Sequence, residues 1–238
     1  MRGGIPIYYT ALGDSITAGV GAAPGKSFPQ LLSSHMSTYL NTTVNLFRVS
    51  RKGWQTPNLY FALRHLPNKR KIFSQSNLIT LCIGGNDLAL GFFKYRYFTK
   101  DPSTLDEILA EFLQSYTAII RLVQHYTQTP LYLLNLYNPY PSDPIATHFV
   151  ISYNQVIATT ASHFSFPLVN LFTKFSHHEA DYIHGYKDGH THQMIPFLRS
   201  NPIHPNPKGH YVIAKEVWQT YRNKDGMTKQ TNCDLYSS

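Results

Sequence analysis

Five short runs of strand-forming residues constrain the fold of this chain more than any other feature. They are Ile5 to Leu12, Thr43 to Val49, Leu78 to Ile83, Leu131 to Leu136 and Phe166 to Leu171. Most are almost continuously apolar rather than alternating, which suits strands covered on both faces of a parallel sheet. Stretches of helical periodicity lie between them. In the clearest, Thr104 to Gln124, apolar residues from Leu105 to Val123 recur at helical spacing, and Thr104 with Glu107 reads as a capping box. Helices are also expected at Phe28 to Leu40, Asn58 to His65, Ile145 to His163 and Pro207 to Tyr221. In the last, Asn206 suits the N-cap and Pro207 the first helical position. Strands alternating with helices predict an α/β fold, a doubly wound parallel sheet with right-handed crossovers. In such sheets the working residues gather beyond the carboxyl ends of the strands. Three groups follow strands directly here: Gly13-Asp14-Ser15, Gly53, and Gly84-Gly85-Asn86-Asp87.

The chain is long enough for a full core, with 238 residues of which 42% are hydrophobic, and one domain is expected over 1–222. A polar tail would follow over 223–238. Charged residues make up only 14%, against 17 tyrosines and 14 phenylalanines, so the chain is not of the disordered kind. The net charge of +8 implies weak association with anionic surfaces. Basic residues are spread out, however, with no cluster longer than Asn68 to Lys71, which argues against specific nucleic-acid binding. The two cysteines make no disulfide framework: Cys82 sits in an apolar run and reads as a buried thiol, and Cys233 lies in the tail. The N-terminus lacks the apolar core of a secretory signal, and no stretch approaches the roughly 20 apolar residues of a transmembrane helix. A cytoplasmic chain without signal peptide or transmembrane segment is therefore expected.

Each candidate site residue has a structural reading and a chemical one. Ser15, after a strand, suits either a helix cap or a nucleophile. Asn86 and Asp87, after two glycines, suit a turn; the P-loop reading fails because no Lys-Ser/Thr pair follows. His204 lies between Ile203 and Pro205, with Pro202 also close by, just ahead of a helix whose positive end favours the neutral ring. Neutral imidazole is the form a general base requires.

Taken in order, Gly13-Asp14-Ser15, Gly53, Gly84-Gly85-Asn86-Asp87 and His204-Pro205 resemble the four blocks of the GDSL or SGNH hydrolase family. The likeness spans residues 7 to about 221 and is greatest to bacillus-type spore and cytosolic esterase-lipase members, which include germination lipases. It implies a three-layer α/β/α sandwich with a flavodoxin-like, five-stranded parallel sheet. It also implies a serine esterase or lipase acting on carboxylic esters, lysophospholipid or other lipid esters among them, with no cofactor and no metal, and a spore-associated location. Ser15 would be the nucleophile and His204 the base, and the oxyanion hole would comprise the Ser15 and Gly53 N–H groups and the Asn86 amide. Two alternatives stay open: a carbohydrate O-deacetylase of the same chemistry, or a coat or surface-binding protein with impaired catalysis. The second is motivated by Asn201, which stands where the family usually has an aspartate three residues before the histidine. Asparagine can accept a hydrogen bond from imidazole but cannot stabilise imidazolium by charge. A Ser-His-Asn triad, a dyad supported by a main-chain carbonyl and an inactivated variant are all compatible with it. Asp181 and Asp188 are candidate substitute carboxylates. The segment His177 to His192 carries five histidines and suits a polar loop over the site better than a metal centre. In Gly91 to Phe98, aromatic rings would wall an acyl pocket, with Lys94 and Arg96 facing an anionic head group.

Overall fold

The computed structural model describes residues 5–101, 103–191 and 202–224. In chain order the elements are β1 (Ile7–Gly13), α1 (Ser15–Ala18), α2 (Phe28–Leu40), β2 (Val44–Ser50), α3 (Thr56–Arg64), α4 (Lys69–Gln75), β3 (Leu78–Cys82) and α5 (Gly85–Lys94). A π-helical turn (Tyr95–Thr99) then leads to α6 (Ser103–Gln124), β4 (Leu131–Leu134), α7 (Pro144–His163), β5 (Leu168–Val169), α8 (Leu171–Phe175), α9 (Glu179–Tyr182) and α10 (Pro207–Lys224). All strand pairs are parallel, in the order β2-β1-β3-β4-β5. This is the flavodoxin-like arrangement that the alternating pattern predicts.

Strand residues divide by parity between two cores. Leu12, Ile79, Leu81 and Leu133 face α3, α6 and α7. Tyr9, Ala11, Leu78 and Leu134 face α2 and α10. Both faces of each central strand are thus buried, which explains why these runs are continuously apolar. The register then sets the site: Gly13 pairs with Ser50 on one side and with Cys82 on the other. The three strands therefore end level, and the segments after them emerge at one edge.

Several boundaries differ from expectation for local reasons. The run to Leu136 pairs only as far as Leu134, because the Asn154 side chain takes both the Leu136 N–H and its carbonyl. The last strand shortens to two residues because Asn170 caps α8 by accepting from the Thr173 N–H. The Thr104–Glu107 capping box is replaced: Ser103 is already helical, and Asp101 accepts its N–H at 2.9 Å. The expected cap of α10 is present, with Asn206 Oδ1 accepting from Gly209 N–H at 2.9 Å. Helix α10 continues to Lys224, and Cys233 with the rest of the tail lies outside the described residues. Cys82 is a buried free thiol.

The segment after α1 is pressed against the segment before α10. Gly21 has φ +89°, and a Cβ there would lie 2.1 Å from the Pro205 carbonyl oxygen. Buried His210 closes the same joint, accepting the Phe28 N–H through Nδ1 and donating from Nε2 to Val20 O. Gly21→Ala should therefore lower unfolding free energy by about 1–3 kcal/mol through strain and overpacking. Gly25→Ala, at φ +72° with nothing within 4 Å, carries only the left-handed strain of about 1–2 kcal/mol. Urea unfolding of both variants measures the difference, and equal losses would refute a close-packed joint at Gly21.

Candidate active site

Ser15 opens α1 directly after β1, but it is not the cap of that helix. Asp14 is, with Oδ1 accepting the Ile16 N–H at 2.9 Å. The Ser15 hydroxyl is instead 3.0 Å from His204 Nε2, across 189 residues of chain. Both residues line a cavity of about 90 Å³ beyond the carboxyl ends of β1, β3 and β4. Its wall is mainly apolar, with Phe92, Tyr140, Ala146, Val150, Leu171 and Ile203 among its lining.

His204 belongs to no regular element, so its position depends on its neighbours' main-chain bonds. Its carbonyl accepts the His184 N–H, Asn206 N–H donates to Tyr182 O, and Ile183 bridges Pro205. Tyr137 OH donates to Ile203 O at 2.6 Å, and its ring stacks on Phe175. Burial, and then the Lys52 charge with the neighbouring His210 and His184 rings, depresses the His204 pKa to about 4. The ring is accordingly neutral above that pH.

Asn86 also lines the cavity, in the first turn of α5. Its Nδ2 donates to Trp54 O at 2.8 Å, which occupies one of the two amide hydrogens. Gly53 is on the exposed loop after β2, and its φ of +82° accounts for glycine there. It does not line the cavity. Asp87 does not cap α5 either; its carboxylate accepts from Thr56 Oγ1 at 2.6 Å and from Thr56 N at 3.1 Å to each oxygen. Burial raises its pKa, against these bonds. Asp14 is buried beside Ser15, and desolvation pushes its pKa up to about 7.

Asn201 lies outside the described residues. The other carboxylates considered for its place are engaged elsewhere: Asp181 pairs with Lys208 at 3.1 Å, and Asp188 accepts the His190 N–H. The described part of the histidine-rich segment does not cover the cavity. Among the described residues, no group of three or more His, Cys, Asp or Glu side chains could hold a metal ion. Phe92 does wall the cavity, whereas Tyr97 and Phe98 point outward. Lys94 forms an ion pair with Glu107 at 3.5 Å rather than standing alone for a head group. The sequence reading missed Tyr137, Gly21 and the Asp87–Thr56 pair. Only the last had a signal, since Asp87 adjoins Asn86.

Comparison with known proteins shows the family and the fold. The model of the GDSL-like Lipase/Acylhydrolase family matches residues 11–212. The spore germination lipase LipC of Bacillus licheniformis is 26% identical over 219 residues, covering 89% of this chain and 94% of LipC. The lipase Lip_vut3 from a goat rumen metagenome superposes with a TM-score of 0.75 at 25% identity, over 90% of this chain and 97% of that one. An acetyl xylan esterase, AlAXEase, shares the fold with a TM-score of 0.63 at 19% identity, over 90% and 98%. Among the described residues no helix is long and apolar enough to cross a membrane. The chain belongs to the GDSL-like lipase/acylhydrolase family and is an ester hydrolase.

Proposed function

We propose that the protein hydrolyses carboxylic esters of apolar acyl chains through a Ser15 acyl-enzyme. The observation that carries this reading is the Ser15 Oγ to His204 Nε2 approach of 3.0 Å at an apolar cavity. His204 takes the hydroxyl proton as Ser15 Oγ bonds to the ester carbonyl carbon. The same proton passes to the departing alcohol as the tetrahedral adduct collapses. Water, deprotonated by His204, then releases the acid and regenerates Ser15. The negative charge on the carbonyl oxygen is met by the Ser15 and Gly53 N–H groups and by the second Nδ2 hydrogen of Asn86. Such fixed donors usually supply the largest catalytic contribution. Lipid esters, lysophospholipids among them, fit the apolar cavity better than acetylated sugars. An association with spores is the corresponding proposal for location and draws on the likeness to LipC.

A fluorophosphonate probe should label Ser15 and fail on Ser15→Ala, with kcat for a nitrophenyl ester falling by at least about 10³. Across a nitrophenyl ester series, kcat/KM should rise about threefold to fourfold per added methylene until the cavity is full. A maximum at acetyl would favour the deacetylase instead. Labelling that persists without Ser15 would sink its assignment as the nucleophile, and no turnover at all would leave the binding protein.

The acid limb of kcat/KM should lie near pH 4, well below the ordinary histidine value of about 6.5, because His204 stays neutral and base-competent down to that point. Lys52→Gln removes the positive charge that helps to depress this pKa and should move the limb upward. A limb near 6.5 in the native protein would refute the assignment of His204 as a desolvated base without a carboxylate partner among the described residues.

Asn201 is assigned to accept a hydrogen bond from His204 Nδ1–H. Asn201→Asp should raise kcat and shift the acid limb upward, since a carboxylate stabilises the imidazolium. Asn201→Ala should lower kcat by freeing the ring. Unchanged turnover in the alanine variant would remove Asn201 from the site and favour a dyad.

A further inference from the structure

The loop between β2 and α3 carries Gly53 and packs on the core through Trp54 alone among residues 51–55. Arg51, Lys52 and Gly53 are exposed, Trp54 and Gln55 half-buried, and only Thr56 is fully buried. Behind its far end lies a cavity of about 190 Å³, bordered by Gln55, Thr56, Pro57 and Asp87. Side-chain bonds from α5 tie the loop down at two points. Asn86 Nδ2 reaches Trp54 O at 2.8 Å. Asp87 takes both polar hydrogens of Thr56, the hydroxyl at 2.6 Å and the amide at 3.1 Å.

These two ties are coupled by chemistry. An asparagine amide has two N–H bonds in a fixed plane. A carbonyl that accepts one of them determines where the other points. The carbonyl in question belongs to Trp54, on the loop, and the loop is fastened through Thr56. If the loop shifts, Asn86 loses its aim and the Gly53 N–H moves with it. Hydrogen bonds to a charged acceptor are the strong ones, and a buried carboxylate bonded by two donors of one residue has a single well-defined geometry. That is the property a fixed oxyanion hole needs.

We propose that Asp87 is a positioning residue of the oxyanion hole: through Thr56 its carboxylate fixes the 51–56 loop, and so sets both the Gly53 N–H and the free Asn86 N–H. This rests on the Ser15 esterase reading above. Asp87 does not line the cavity that holds Ser15 and His204, so it acts through the donors and not on substrate. Asparagine cannot replace it, because one of the two oxygens facing the Thr56 N–H would become an NH₂ donor.

The test is steady-state kinetics on a nitrophenyl ester for the native protein, Asp87→Asn, Asn86→Ala and the double variant, each checked for folding by circular dichroism and thermal melting. Asp87→Asn should lower kcat about 10- to 100-fold, the scale of a misplaced catalytic group, with KM within about twofold. In the Asn86→Ala background the same change should cost less than about a third as much, because one of its two targets is already gone. A merely structural aspartate would give additive losses and a lowered melting temperature without this coupling. Thr56→Val, which keeps the shape and removes the 2.6 Å bond, should reproduce the kcat loss in part, and Thr56→Ser should restore it. Should Asp87→Asn fail to fold, the Thr56 pair decides. Native kcat in folded Asp87→Asn, full additivity, or native kcat in Thr56→Val would each overturn the proposal while leaving the esterase reading intact. If the native protein shows no Ser15-dependent turnover, the esterase reading falls, and the proposal falls with it.

Discussion

The contact between Ser15 and His204 is the one on which the site depends, and it cannot hold itself. A single hydrogen bond contributes about 1 kcal/mol net, far too little to order residues 189 positions apart. The geometry comes from what lies on either side. Ser15 is fixed because β1 is paired on both edges through Gly13, so the serine emerges at a set height above the sheet. His204 is fixed because the residues around it bond to Tyr182, His184 and Tyr137. The two halves come close enough because Gly21 presents no Cβ to the Pro205 carbonyl. Ser15 thus takes its position from the sheet, and His204 from a loop braced against it.

Charges around the site are arranged with the same economy. Asp87 and Asp181 each have another partner, and Asp14 is held close to neutrality. Asp87 is bonded to Thr56, Asp181 to Lys208, and burial pushes Asp14 up to about 7. The charge that acts on His204 is the positive one of Lys52, beside the His210 and His184 rings. Together with burial it holds the ring neutral across the ordinary pH range.

The sheet was legible in the sequence because its strands are covered on both faces, and continuous apolar runs are the direct record of that burial. Where runs overshot, as at Leu136 and Leu171, side chains of Asn154 and Asn170 had taken the backbone groups, a competition that apolar pattern does not register. Helix α5 was not expected, because it opens on two glycines, Gly84 as its N-cap and Gly85 as its first residue, and its end passes into a π-helical turn rather than a cap. Ser15, Asn86 and His204 were identifiable as motif residues, and they do meet at one cavity. Tyr137 was invisible for a physical reason: its hydroxyl bonds to a backbone carbonyl 66 residues away, and any residue could supply that acceptor. The Asp87 strap was hidden in a motif where an aspartate reads equally as a turn residue.

These features bear on how catalysis is divided in the proposed reaction. A base with pKa near 4 is available at every ordinary pH, but it is a weak one, and general-base efficiency falls as the catalytic pKa drops below the working pH. An aspartate in place of Asn201 would compensate by stabilising the imidazolium, whereas an asparagine can only orient the ring. More of the barrier must then be lowered where negative charge develops, on the ester oxygen. In the proposed oxyanion hole that demand would fall on the Asn86 and Gly53 donors, beside the Asn86–Trp54 bond and the Thr56–Asp87 bond that hold their loop. Fixed donors cost no reorganisation at the moment of reaction, so rigidity in the 51–56 loop can offset weakness in the base. The same buried aspartate that looks like a turn residue in the sequence would then set how well a triad with a neutral third member can work.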